Sequence, residues 1–324
     1  MADFPLERSW YIGITVFAIL YGVELCMCFM SAYFLWKSPN SGKNIRYFYI
    51  AYSATLLVLT TIAMSCNLFF GQMMWIAHRD VEGGPVAFFL DNLAAWYNTL
   101  GTAADVTANV LGDGLMLYRC FAFWSDSSPW VVALPALLFL ASTALGIAMT
   151  IQSGLPGGSF FHGITVNLTP SWLSLTIAFN IITTSMIAFR LLAVSRNIRN
   201  VLDRERVDVY SGIIAILVES AAPFTLLGIG YLITYVRGDP ESLFCANLWG
   251  IFVALSPQAI ILRVSMGSGW SKETITQYGM EMTTDSHLPD TTRSQVTAHS
   301  IGSRSGTTII SALCATTPRT SDQI

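Results

Sequence analysis

The chain has 324 residues, of which 53% are apolar and only 11% charged, with a net charge of −3 and a mean hydropathy of +0.54. Soluble domains carry about 25% charged residues, so a wetted globular surface is excluded. The charge is too small to draw an anionic partner such as nucleic acid.

A helix needs about 20 apolar residues to cross the hydrocarbon of a bilayer. Seven stretches meet that need, and they predict an all-α bundle of seven transmembrane helices over residues 1–270. The first, Trp10–Trp36, begins and ends at an interfacial aromatic. It lacks the basic flank of a cleaved signal peptide. The second is Tyr47–Ile76 and the third Asn92–Trp124. The rest are Trp130–Ile151, Ser171–Leu192, Val209–Val236 and Leu243–Leu262. Pro135, Pro223 and Pro257 fall inside the fourth, sixth and seventh, where each predicts a kink tolerated by neighbouring helices.

Basic residues set the expected orientation. Arg8, Arg79 and Arg237 flank one side. The other holds eleven: Lys37, Lys43, Arg46, Arg119, Arg190, Arg196, Arg199, Arg204, Arg206, Arg263 and Lys272. The excess belongs in the cytoplasm, which puts the N-terminus outside and the C-terminus inside. Asn167, in the sequon Asn167-Leu168-Thr169, is then a glycosylation candidate on the outer side. Residues 271–324 include twenty Ser or Thr and no long apolar run, so they read as a disordered cytoplasmic tail.

The third span carries the unusual chemistry. Asp105, Asn109 and Asp113 lie inside it and Arg119 near its end, although a charge at membrane depth costs at least about 2.5 kcal/mol. Asp105, Asn109, Gly112 and Met116 recur on one helix face. Asp113 is turned about 80° from Asp105 at 100° per residue. With Glu24 in span one and Glu219 in span six, these residues are candidates for a ligand- or proton-responsive cluster between spans one, three and six. The alternative is that they brace the bundle by interhelical hydrogen bonds. Arg119 and Asp208 are candidates for a cytoplasmic ion-pair switch, unless Arg119 only snorkels to phosphates.

Absences narrow the class. None of the three lysines lies in a span, which removes a retinal Schiff base, and all four histidines fall in loops or tail. No phosphate loop of the GxxxxGK[ST] type occurs. The six cysteines form no CxxC pair. The expectation is a chain with no catalytic residues, metal or cofactor, whose partners are the lipid bilayer, a small-molecule ligand and a cytoplasmic signalling protein.

Asp113–Trp124, DGLMLYRCFAFW, and Leu255–Trp270, LSPQAIILRVSMGSGW, together resemble a large seven-span membrane-protein family of mushroom-forming basidiomycete fungi. The resemblance covers residues 10–270. It implies the topology and a fungal membrane, but no ligand, because none is assigned to that family. A weaker likeness is to G-protein-coupled receptors, through Tyr118-Arg119-Cys120, Pro223 and Ser256-Pro257. It departs where no acid precedes Arg119, where Ser256 and Ile260 stand in place of the Asn and Tyr of NPxxY, and where no cysteine occurs between spans four and five. The resulting expectation is a receptor-like sensor of the plasma membrane. Its rival is a small-solute or proton-coupled transporter that uses the intramembrane carboxylates.

Overall fold

The computed structural model describes residues 4–37, 43–80, 84–124, 129–154, 165–199 and 204–285. Side chains are described within these ranges except at 4, 43, 45, 129, 165–167, 194–199, 204–217, 264 and 267–285. Every regular element among the described residues is helical. The α-helices are α1 (Phe4–Lys37), α2 (Lys43–Gln72), α3 (Gly84–Asp91), α4 (Trp96–Trp124), α5 (Ala133–Ser153), α6 (Thr165–Arg199), α7 (Arg204–Arg237) and α8 (Ser242–Asp285). A π turn, Met73–Ala77, extends α2, and a 3-10 turn, Pro129–Val132, leads into α5.

Five segments are long and apolar enough to cross a membrane: Pro5–Lys37, Arg46–Ala77, Trp130–Ser153, Leu168–Ala193 and Ser242–Arg263. The most apolar part of each is only 22–50% buried within the protein. Ile19, Phe29, Leu137, Phe189 and Leu226 are 65–69% exposed. An apolar exterior of that extent needs lipid rather than water around it. The chain is an integral membrane protein by this measure. Among the described residues, α4 and α7 do not join the five. In α4 the apolar run is interrupted by Asp105, Asn109, Asp113 and Arg119.

Three features differ from the sequence expectation. The stretch Asn92–Trp124 is not one helix: a turn after α3 separates Asn92 from the start of α4 at Trp96. Asn92 Nδ2 donates to the Phe88 carbonyl at 3.0 Å and Asn98 Nδ2 to the Leu93 carbonyl at 2.6 Å. The Asn98 amide takes the Leu93 carbonyl that a continuous helix would have used, whereas the Phe88 carbonyl keeps its helix bond from the Asn92 N–H at 3.1 Å. Pro135 occupies the first turn of α5, where a missing N–H costs no helix bond, so it makes no kink. Finally, α8 runs on to Asp285 rather than ending near Ser271. No proline interrupts the chain between Pro257 and Pro289. The remainder of the expected tail, 286–324, lies outside the described residues.

The helices close on one another laterally. α1 packs on α2 and α8, α7 on α6 and α8, and α5 on α4 and α6. α4 touches α2, α5, α6 and α8, so its side chains fill the middle. At one end α3 folds over α1 and the π turn, and Trp10, Phe70, Met74, Phe88, Phe89 and Leu93 form a buried plug there. Below it, Trp172 and Trp249 meet edge to face with centroids 5.5 Å apart, and Phe224 lies 5.3 Å from Trp249. Glycines make room for this packing. A Cβ at Gly146 would come within 3.0 Å of Trp172 and Val106, and one at Gly228 within 3.0 Å of Trp249 and Ile177. Small residues at such crossings let membrane helices approach closely. At the opposite end Met116, Cys120, Phe179, Ile187, Leu191 and Ile260 form a second apolar layer. The polar residues lie between the two.

Candidate functional site

The polar middle is divided into two parts by α8. At its centre Pro257 has no N–H, so the Val253 carbonyl four residues earlier loses its helix donor. Around this break α8 contacts three neighbours. Ser256 Oγ donates to the Ser220 carbonyl of α7 at 2.7 Å. Ser53 of α2 donates to Gln258 Oε1 at 2.7 Å, and Gln258 Nε2 in turn lies against Ser53 Oγ. Toward α4, a Cβ at Gly112 would stand 3.5 Å from the Val253 oxygen and 3.9 Å from Pro257. The glycine therefore leaves the freed carbonyl uncovered on that side.

The first part lies among α1, α2 and α8. Glu24 is 1% exposed and accepts from Thr60 Oγ1 at 3.2 Å. Thr60 also donates to the Leu56 carbonyl at 2.9 Å, so one hydroxyl proton is shared between two acceptors. The second Glu24 oxygen meets no donor among the described residues. Ser53 reaches Cys28 Sγ at 3.7 Å on the same side. These groups are all buried and, the second Glu24 oxygen apart, hydrogen-bond mostly to one another.

The second part encloses space. A cavity of about 20 Å³ opens between α4, α6, α7 and α8, walled by Asn109, Asp113, Asn180, Ser256, Pro257 and Phe224, among others. That volume holds about one water-sized group. Asn109 Nδ2 donates weakly to Asp113 Oδ2 at 3.4 Å, and Thr184 Oγ1 lies 3.4 Å from Asn180 Oδ1. Asn109, Asp113 and Asn180 are 3%, 4% and 7% exposed, so their remaining polar atoms face the cavity or one another.

The sequence candidates thus separate. Asn109 and Asp113 share the cavity wall, with Gly112 and Met116 beside them. Asp105, on the same stripe, does not line it. Asp105 is half-buried, faces α2 within electrostatic reach of Cys66, and forms no hydrogen bond among the described residues. Glu24 belongs to the α1–α2 cluster. Glu219 does not join any of them: its side chain is 78% exposed, 4.0 Å from an Arg263 that is 52% exposed. The expected cluster between spans one, three and six is corrected accordingly. The helical rotation that brings Ser220 and Ala221 inward turns Glu219 out.

Arg119 is buried at the far end of α4, and Tyr52 lies within electrostatic reach of both Arg119 and Asp113. The Tyr52 hydroxyl donates to the Leu111 carbonyl at 2.9 Å and so ties α2 to α4. The Asp208 side chain lies outside the described residues, as does that of Asn167. The sequon is inside α6, and its Thr169 is 1% exposed with Oγ1 3.5 Å from Met149 Sδ.

Thr60, Ser53, Asn180 and Gln258 are the polar neighbours of the candidate residues that sequence reasoning missed. A Ser, Thr, Asn or Gln within an apolar run carries no charge penalty to mark it. Only Gln258, directly after a mid-helix proline, gave a signal of its own. Comparison with protein-family models and with curated proteins finds no match for this chain.

Proposed function

We propose that the chain is a seven-span, receptor-like sensor of the plasma membrane, with its N-terminus outside and its C-terminus cytoplasmic. In this reading α4 and α7 cross the bilayer beside the five apolar helices and turn their polar residues inward. The observation that carries it is the break at Pro257, where one helix turn contacts α2, α4 and α7 through Gln258, Val253 and Ser256. A helix interrupted at a proline, and tied at that point to two neighbours by side-chain bonds, can bend in more than one way. Two alternative packings of that kind are what a switch requires.

The transporter reading needs a polar path through the carboxylates. Such a path has less support, since Glu219 points outward and the cavity has room for about one water. The eleven-to-three distribution of basic residues supports the orientation, and the likeness to the fungal seven-span family supports the seven crossings.

Two measurements on the full chain in lipid vesicles test the proposal. Spin labels at the Lys37 end of α1 and the Arg263 region of α8 should give two distance populations, and Pro257→Ala should collapse them to one. A pH-reporting dye inside the vesicles should record no proton flux. Flux that disappears with Asp113→Asn would replace the sensor by the carrier. A single distance population, unchanged by Pro257→Ala, would remove the switch.

A further inference from the structure

The cavity beside Asp113 has a wall chemistry that specifies its occupant more closely than its size does. Asn109, Asp113 and Asn180 are all more than nine-tenths buried. Asp113 uses one carboxylate oxygen toward Asn109, and its other oxygen has no donor among the described residues. Asn109 spends its amide nitrogen on that contact and keeps its carbonyl oxygen free. Asn180 has one weak contact, from Thr184, and its amide nitrogen donates to no described residue. To these the main chain adds the Val253 carbonyl, deprived of its helix donor by Pro257 and left open by Gly112.

The free groups are therefore mainly oxygen acceptors, and the wall contains no lysine, arginine or histidine. An anion is excluded by charge. One carboxylate is too few for a divalent cation, which draws on several carboxylates or retains a large hydration shell. The absence of thiolate and imidazole ligands removes the transition metals. A carboxylate, an amide carbonyl and a backbone carbonyl around a space for about one water suit a small, hard, monovalent cation. We propose that this cavity is a sodium site, with Asp113 as the anionic ligand and Asn109 and the Val253 carbonyl as neutral ones. Asn180, whose amide can turn either end inward, closes the fourth side. The proposal is independent of the sensor reading, because binding is read on the folded protein without any response.

The test is thermal unfolding of the purified full chain in detergent at pH 7.5, in sodium, potassium or choline chloride at equal ionic strength. Sodium should raise Tm saturably by about 5 °C over choline, with a smaller rise in potassium. Asp113→Asn should abolish the sodium increment. Gly112→Ala, which adds a methyl at ordinary contact distance from the Val253 oxygen, should reduce it at least tenfold in apparent affinity. The second variant keeps the test decisive should the first fail to fold. Glu24→Gln, outside the cavity, should leave the increment intact. Equal Tm in all three salts would overturn the proposal, as would a sodium increment that survives both cavity variants or is lost with Glu24→Gln. A Tm that ignores sodium and rises only on acidification would mean that a proton alone neutralises Asp113.

Discussion

Glu24 and Asp113 are both acids buried in the middle of a membrane protein, yet their surroundings differ in the one respect that decides what an acid there can do. Glu24 borders no part of the cavity: Thr60 donates to one oxygen, the other is buried without a donor among the described residues, and Ser53 and Gln258 satisfy each other nearby. Around Asp113 the polar groups outnumber their hydrogen bonds and border a cavity. A filled polar cluster holds helices in register. One with unspent acceptors and free volume binds something or rearranges. Both are carboxylic acids; the packing next to each assigns its role.

Substitutions can break that contrast, and the largest effect is expected in the filled cluster. Gln258 is 1% exposed. Gln258→Ala should cost about 2–4 kcal/mol, from the void it leaves and the stranded Ser53 hydroxyl. Thermal or denaturant unfolding of the purified variant measures this, and a cost under about 1 kcal/mol would show that the cluster is not close-packed. Next comes its coupling to Ser53. A double-mutant cycle of Ser53→Ala with Gln258→Ala should return about 0.5–2 kcal/mol of interaction. Additive single variants would mean that the 2.7 Å contact contributes nothing.

On the cavity side the stability effects should be smaller. Asp113→Asn keeps the side-chain volume and the Asn109 contact, so in choline chloride it should shift stability by about 1 kcal/mol or less. A loss as large as that of Gln258→Ala would make the two regions alike and the contrast false. The smallest change belongs to Glu24→Gln, which keeps an acceptor for Thr60. Its unfolding midpoint at pH 7 should move by under about 0.5 kcal/mol, and a larger loss would show that the ionised form of Glu24 is what packs there.

The membrane character was legible in the sequence because hydrocarbon length fixes the size of an apolar run. Most helix positions followed from it. Where they did not, a local competitor decided: the Asn98 amide captured the Leu93 carbonyl, and the helix restarts at Trp96. The stripe on α4 was legible as well, since a helix period places Asn109 and Met116 on one face. The sequence could not say that Asp105 looks toward α2 while Asp113 looks toward α7 and α8. That depends on which helices neighbour α4, and helical periodicity holds no record of neighbours. Glu219 shows the same limit. An acid in an apolar run signals that it needs a partner, but its direction is set by how α7 is rotated against α8.

The continuity of α8 has a mechanical consequence. From Pro257 to Asp285 it is one uninterrupted helix, a rod of about 42 Å at 1.5 Å per residue. Its Ser242 half packs on α1, and the bend at the proline sets the direction of the distal half. A change of about 10° in the bend there would sweep the distal tip through about 7 Å. The exchange of one hydrogen bond at Ser256 or Gln258 is a sub-ångström event, and the rod would amplify it roughly tenfold at its far end. The geometry is that of a lever with its fulcrum in the polar middle of the protein.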